Sequence, residues 1–242
     1  MSYAIEVNGL TKKFGSFTAV DDITFNVKKG EIFGFLGANG AGKTTAMKML
    51  CGLLKPTSGS GIVAGFDISA CPEDVKKNIG YMSQRFSLYE DLKVWENFRL
   101  FGGIYGLTKE AIEDRTSNML IELGFVKERN SMVKSLPAGW KQKLAFSVAI
   151  MHNPAIVFLD EPTGGVDPSA RRQFWELIYM AAQRGITIFV TTHYMDEAEY
   201  CNRVSMMKEG RIEAIGTPAE LKQETEAKSM DEVFYKLARI YK

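Results

Sequence analysis

The chain has 242 residues, 45% of them hydrophobic and 24% charged, with 30 basic against 29 acidic side chains. That composition predicts a globular α/β protein with a full apolar core, either one large domain or one core carrying an inserted lobe. The formal net charge of +1 supplies no global field for nucleic acid or an anionic membrane, so the pairs Lys12-Lys13, Lys28-Lys29 and Lys76-Lys77 read as solvated faces.

The first thirty residues read as a small β meander. Ala4-Ile5-Glu6-Val7 and Ile23-Thr24-Phe25-Asn26-Val27 alternate, Asn8-Gly9 and Lys29-Gly30 are turn formers, and Phe14-Gly15 falls in a loop between them. Glu31-Ile32-Phe33-Gly34-Phe35-Leu36 is apolar enough for a buried strand, and residues 46–50 read as a helix. Residues 52–61, rich in Gly, Ser and Pro, are a connector, and Gly61-Ile62-Val63-Ala64-Gly65 is a short strand with a turn behind it. Ile79-Gly80-Tyr81-Met82-Ser83-Gln84 is strand-like and ends on a polar residue.

Over residues 91–153 the period changes. Trp95, Phe98, Phe101 and Tyr105 recur at helical spacing, Gly106-Leu107-Thr108 breaks the pattern, and residues 109–123 form a second helix with Thr108 as N-cap. Residues 139–151 form a third. This block is an inserted helical lobe, and its aromatic stripe reads as the lobe's own core in preference to a docking surface. Ala155-Ile156-Val157-Phe158-Leu159 is a central parallel strand buried on both faces. Pro168 introduces a helix over 170–183, and Ile186-Thr187-Ile188-Phe189-Val190 is another buried strand. Residues 204–208 and 211–214 make a hairpin through Glu209-Gly210, and the tail from Pro218 has helical periodicity at Val233, Phe234 and Leu237.

Cys51, Cys71 and Cys201 form no C-x-x-C pair, and with two histidines in the chain no structural zinc site is expected. Free thiols suit a reducing cytosol. Met1-Ser2-Tyr3-Ala4-Ile5-Glu6 lacks a basic start and an apolar block, so no signal peptide is expected. No apolar run reaches the length of a membrane span, so any membrane role is expected to come through a partner.

Between the strand at 31–36 and the helix at 46–50 lies Gly37-Ala38-Asn39-Gly40-Ala41-Gly42-Lys43-Thr44-Thr45. A glycine-rich loop ending in Lys-Thr, after a strand and before a helix, is the pattern of a phosphate-binding loop. Glycines let the backbone curl round a polyphosphate, whose charge is favoured at a helix N-terminus. Lys43 would reach the β- and γ-phosphates, and the Thr44 hydroxyl would ligate Mg²⁺. Asp160-Glu161-Pro162 closes the strand ending at Leu159, where ligands of open α/β sheets gather. Asp160 would hold Mg²⁺ and Glu161 would polarise the attacking water. His193, after Val190-Thr191-Thr192, is expected at the γ-phosphate, and the Gln84 side-chain oxygen at Mg²⁺ or the attacking water. His152 has no such context and reads as an ordinary surface or loop residue. The residues themselves reach a Mg²⁺-dependent ATPase or GTPase.

Taken together they resemble the nucleotide-binding subunit of an ATP-binding cassette (ABC) transporter. The resemblance runs from about Ile5 to Pro218. The loop Gly37 to Thr45, with Gly37, Asn39, Gly40, Gly42, Lys43, Thr44 and Thr45, is similar to Walker A, Gln84 to the Q-loop glutamine, and residues 156–161 to Walker B with its glutamate. Leu136-Pro137-Ala138-Gly139-Trp140-Lys141-Gln142 stands where the family signature stands, Gly164-Gly165-Val166-Asp167 resembles the D-loop, and His193 the switch histidine. The resemblance implies a P-loop, RecA-like α/β core with an N-terminal antiparallel β subdomain and an inserted α-helical subdomain. One nucleotide-binding domain would cover 1–242, with core and β subdomain at about 1–90 and 154–217, the helical subdomain at about 91–153 and a helical tail at 218–242.

It also implies ATP and Mg²⁺ as ligands, with Phe14 stacking on adenine. Two such domains would pack head to tail, as homodimer or heterodimer. Each ATP would lie between one Walker A loop and the partner's signature, so Pro137, Ala138, Gly139, Gln142 and Asp167 are expected near nucleotide. Thr192-His193-Tyr194-Met195-Asp196-Glu197-Ala198 and Met230-Asp231-Glu232-Val233-Phe234 resemble ATPase subunits of ABC-2-type exporters. Those work with a separate membrane permease, which places the chain in the cytoplasm, peripheral on the inner face of the cell membrane. No nucleic-acid partner is expected. The alternatives, a soluble ABC-type ATPase acting on ribosomes or DNA and a non-hydrolysing nucleotide sensor, rank below this reading. The chain has no heptad run for the former, and the Asp160-Glu161 pair with His193 argues against the latter.

One departure stands out. Pro137 and Ala138 replace the serine and first glycine usual in the signature. Proline has neither the hydroxyl that donates to the γ-phosphate nor an N–H, although it suits the start of a helix. A working but weakened contact across the dimer is expected, by about 1.5–3 kcal/mol for one hydrogen bond to a charged group.

Overall fold

The computed structural model describes residues 2–84 and 88–239; Met1, residues 85–87 and the last three residues of the expected tail lie outside them. The chain opens with a long hairpin, β1 (Tyr3–Phe14) and β2 (Phe17–Lys28). The expected turn at Asn8-Gly9 is a bulge inside β1: register shifts between Val7 and Leu10, Gly9 has φ 61°, and its amide donates to Thr24 Oγ1 at 2.9 Å. A glycine at positive φ absorbs the extra residue without ending the ladder. Phe14 pairs with Phe17 across the real turn and stands exposed.

β3 (Ile32–Gly37) follows, then α1 (Lys43–Leu50). β4 (Ser58–Val63) and β5 (Phe66–Asp67) return to the hairpin and complete an antiparallel sheet in the order β2-β1-β4-β5. β4 begins inside the expected connector. Both β5 and α2 (Pro72–Asn78) are too short to leave a period in the sequence.

A second sheet carries β6 (Ile79–Met82), β7 (Ile156–Asp160), β8 (Thr187–Thr192), β9 (Arg203–Lys208) and β10 (Arg211–Gly216), in the order β10-β9-β3-β8-β7-β6. Only the β9–β10 hairpin is antiparallel. Every residue of β3, β7 and β8 is buried, which is why these runs are continuously apolar rather than alternating. Phe189 lies with its ring centroid 5.2–6.3 Å from Phe25, Phe33, Phe35 and Phe158, joining the two sheets through one aromatic core.

Between β6 and β7 stands the helical lobe: α3 (Val94–Ile104), α4 (Lys109–Leu123) and α5 (Ala138–Ile150). Thr108 caps α4 by accepting from the Ala111 amide. Phe98 is fully buried, with Phe101 and Tyr105 packed on the same core, so the stripe is mainly lobe interior. The lobe meets the sheet closely: a Cβ on Gly80 would lie 2.1 Å from the Ala149 carbonyl oxygen. The chain ends with α6 (Pro168–Gln183) before β8, and with α7 (Pro218–Glu224) and α8 (Met230–Arg239). Among the described residues no helix is long and apolar enough to cross a membrane.

His152 lies in the turn after α5, as a loop residue, but it is half-buried and has partners. It stacks on Tyr105 at 3.7 Å between centroids, and its Nε2 lies 3.0 Å from the Ile79 carbonyl oxygen. The side chain therefore bridges α3 and the start of β6. Burial pushes its pKa down from the ordinary 6.5 to about 4, against the pull of the Ile79 carbonyl and helped by Arg115. The folded state thus favours the neutral ring. That preference is fully present above pH 6.5 and is lost as pH falls from there towards 4. With water reaching part of the ring, about 1–2 kcal/mol is at stake. Urea unfolding at pH 7 and pH 4.5 should show this loss in the wild type and a smaller one in His152→Phe. Equal pH dependence in both would mean that the imidazole titrates normally.

Candidate functional site

The strand order brings β3, β8 and β7 side by side and parallel, so their carboxyl ends share one edge. At the end of β3 the chain curls into α1. Gly42 has φ 103°, and a Cβ there would lie 2.3 Å from the Ala19 carbonyl oxygen; Gly40 has φ 81°. Both positions demand glycine. Lys43 folds back over this loop, donating to the carbonyls of Gly37 at 2.7 Å and Ala38 at 3.1 Å. Burial lowers its pKa, while Glu161, with Nζ to Oε1 at 3.6 Å, pulls it upward. Asn39 and Thr44 are exposed and Thr45 is half-buried.

β7 delivers Asp160, which is only 4% exposed. Its Oδ1 accepts from Thr191 Oγ1 at 2.7 Å, and both its oxygens lie 3.4 Å from Thr44 Oγ1. Glu161 then turns into the left-handed region with φ 47°. A side chain other than glycine held there costs on the order of 1–3 kcal/mol. The Glu161 amide holds that turn by donating to the carbonyl and hydroxyl oxygens of Thr191, each at 3.1 Å. The turn aims the carboxylate along the strand edge. It accepts from Gln84 Nε2 at 2.9 Å and approaches His193 Nδ1 to 3.1 Å. The His193 contact lacks hydrogen-bond direction, and Nδ1 stays without a partner. Five residues expected here from sequence, Lys43, Thr44, Gln84, Asp160 and Glu161, are thus linked directly, with His193 in contact.

The remaining expected residues lie elsewhere. Phe14 is exposed at the tip of the hairpin, with Lys12 Nζ 5.2 Å from its ring centroid. Pro137 is the N-cap of α5, its carbonyl accepting from the amides of Trp140 and Lys141 at 3.0 and 3.1 Å. Pro137 and Ala138 are exposed, and a Cβ on Gly139 would lie 2.9 Å from the Ala170 Cβ, so the glycine seats α5 on α6. Gln142, expected near nucleotide, is 2% exposed with Oε1 unpartnered. It lies just before residues 144–149, a stretch of α5 that is buried throughout. Asp167 caps α6, accepting from the Ala170 amide at 3.0 Å. Thr191 escaped the sequence reading. Its only signal was a hydroxyl residue at the end of a buried strand, just before His193.

A parallel sheet with a glycine-rich strand-to-helix loop and a paired-acid strand end defines a P-loop nucleotide-binding fold. The family model for ABC transporters matches residues 20–164. The chain belongs to that family, among its ATP-binding subunits. It is 49% identical over 221 residues to the "Probable multidrug ABC transporter ATP-binding protein YbhF" of Escherichia coli (strain K12), covering 91% of this chain and 38% of that protein. It is 35% identical over 218 residues to the "Linearmycin resistance ATP-binding protein LnrL" of Bacillus subtilis (strain 168), covering 90% of this chain and 70% of that one. A solved ATP-binding subunit of an ABC transporter superposes with TM-score 0.87 at 29% identity, covering 98% of this chain and all of its own. The chain spans well under half the length of YbhF.

Replacing Thr191 by valine keeps the shape and removes the hydroxyl that serves both acids. A buried carboxylate oxygen loses its donor, at a cost of about 1–3 kcal/mol. Denaturant unfolding of Thr191→Val against wild type measures it, and unchanged stability would show that Asp160 finds another donor.

Proposed function

We propose that this chain binds and hydrolyses ATP as the nucleotide-binding subunit of an ABC membrane transporter, of the ABC-2 exporter type. In this reading ATP-driven dimerisation is coupled to movement of a separate permease. The observation that carries the proposal is the Glu161 carboxylate, held in a left-handed turn beside Lys43, Gln84 and His193 and next to buried Asp160.

The donor set suits Mg²⁺. The Thr44 hydroxyl and the Asp160 carboxylate are hard oxygen ligands on one face, and Mg²⁺ commonly keeps several waters beside a pair of this kind. Gln84 is the third candidate, through its amide oxygen. When bound, the ion neutralises phosphate charge. Lys43 would exchange the Gly37 and Ala38 carbonyls for phosphate oxygens. Glu161 would accept a hydrogen bond from the attacking water and hold it in line. His193 would meet the γ-phosphate, and the amides of residues 37–45 would cradle the rest. Phe14, exposed at its hairpin tip, would stack on adenine.

The open start of α5 at Pro137, Ala138 and Gly139 would face the nucleotide of a second domain packed head to tail, with Asp167 nearby. Gln142 would support that helix from inside the lobe. We take 1–242 as one nucleotide-binding domain, divided into core, helical lobe and tail as expected from sequence. Leu53, Tyr81, Ile104 and Tyr105 line a groove between lobe and core, and Leu53 and Ile104 are 54% and 67% exposed. This groove, which Glu73, Lys76 and Lys77 also line, suits a cytosolic segment of the permease with apolar and charged side chains, which would hold the chain on the inner face of the cell membrane. The multidrug and resistance functions in the names of YbhF and LnrL support outward transport.

Glu161→Gln should retain ATP binding, form an ATP-dependent dimer and lose turnover by roughly 10²–10³, the scale for removing a preorganised group. Steady-state hydrolysis by the purified variant at the wild-type rate would remove Glu161 from this role. A serine at position 137 restores the missing hydroxyl. Pro137→Ser should therefore strengthen ATP-driven dimerisation by about 1.5–3 kcal/mol, corresponding to roughly ten- to hundredfold in affinity. Sedimentation with and without ATP reads this, and an unchanged dimer affinity would mean that the signature contact is not limiting.

A further inference from the structure

Beyond the nucleotide edge lies a buried carboxylate that the proposed chemistry does not use. Glu197 belongs to a short 3₁₀ segment, Met195–Tyr200, and is completely buried. Thr163 Oγ1 donates to its Oε1, and Arg171 Nε lies 3.6 Å from the same oxygen. The Arg171 guanidinium also covers the Tyr194 ring at 4.3 Å and reaches Asp196 Oδ2 at 3.4 Å. Thr163 follows Glu161 by two positions, Arg171 sits in the first turn of α6, and Tyr194 is the neighbour of His193. A single carboxylate therefore ties both Thr163, in the loop after Glu161, and Arg171, at the start of α6, to the segment that follows His193.

We propose that Glu197 is a positioning residue that makes the loop after Glu161 and the segment after His193 move as one unit during ATP hydrolysis. This rests on the ATPase reading above. Two features support it. An ionised carboxylate at zero exposure is costly, and an apolar side chain would fill the same space without that cost. A carboxylate adds direction: it orients the Thr163 hydroxyl and the Arg171 fork, which an apolar side chain cannot do. The network also leaves one acceptor and one donor unpaired. Glu197 Oε2 is a buried acceptor without a partner, and Arg171 Nε is a buried donor without one. Closing the 3.6 Å gap to Oε1 would satisfy the Arg171 donor, and a second guanidinium N–H turned to Oε2 would complete a paired fork. Nucleotide contact at His193 would drive that closure through Tyr194, and the loop that Asp167 ends would follow.

The test uses the full chain with ATP and Mg²⁺. Glu197→Gln and Thr163→Val are near-isosteric, and Thr163→Ser keeps the hydroxyl. The first two should lower kcat about 10-fold, with KM for ATP within twofold of wild type, and Thr163→Ser should retain wild-type kcat. Hydrogen exchange gives an independent readout. In wild type, ATP should protect residues 163–171 and 194–200 together, and in Glu197→Gln only 194–200 should respond. A kcat within twofold of wild type in both Glu197→Gln and Thr163→Val overturns the proposal. So does a loss that Thr163→Ser shares, or coupled exchange that survives in Glu197→Gln. If wild type itself shows no turnover, the ATPase reading fails, and the exchange experiment alone decides the role of Glu197.

Discussion

The register between β7 and β8 sets everything at the nucleotide edge. Asp160 stands opposite Thr191, and this pairing lets one hydroxyl donate to Asp160 while the same residue's carbonyl and hydroxyl hold the Glu161 amide. Parallel pairing of β3 with β8 then sets Leu36 opposite Thr192, so the phosphate loop starts level with the acids. A slip of one residue in either pair would turn alternate side chains to the other face. It would also separate Lys43 from Glu161. The aromatic core around Phe189 holds that register from behind, because rings packed on both sheets leave no room for a shifted strand.

The electrostatics of the edge follow from that alignment. Lys43 is buried next to two acids, and its charge is shared among the Gly37 and Ala38 carbonyls and the Glu161 carboxylate. Each of these contacts can be given up for a phosphate oxygen, so the loop is closed on itself in a form that a polyphosphate can open. The strain at Glu161 serves the same end. A relaxed backbone would carry its carboxylate on along the strand, whereas the left-handed turn brings it back to Gln84 and His193.

The lobe is tied to the sheet by close backbone approach at Gly80 and by the contact of His152 with the Ile79 carbonyl in β6. Its α5 start meets α6 at Gly139 and Ala170, next to Arg171. Residues 137–139, the start of α6 and the segment after His193 are therefore mechanical neighbours, although they are distant in sequence. Gln84 leaves β6 at the point where the chain enters the lobe, so its bond to Glu161 links the same lobe to the acids.

Much of this was legible in the chain. Residues 37–45, Asp160-Glu161 and His193 could be singled out because each is a short local pattern attached to a continuously apolar strand. The resemblance carried by the ordered motifs implied the P-loop core. What escaped detection depends on which residues meet across the fold. The sequence placed Gln142 near nucleotide, but its burial, at 2% exposure, comes only from how α5 packs. Asn8-Gly9 looked like a turn, but pairing on both sides carries β1 through it as a bulge. His152 had no local signal and Glu197 only its place in the stretch 192–198, because their meaning comes from Tyr105, Thr163 and Arg171, brought to them by packing. The sequence alone determined which chemical groups end each strand, since composition and period act over a few residues. Only the tertiary structure decided which of those groups face one another, because strand order and register are set by burial of the whole sheet.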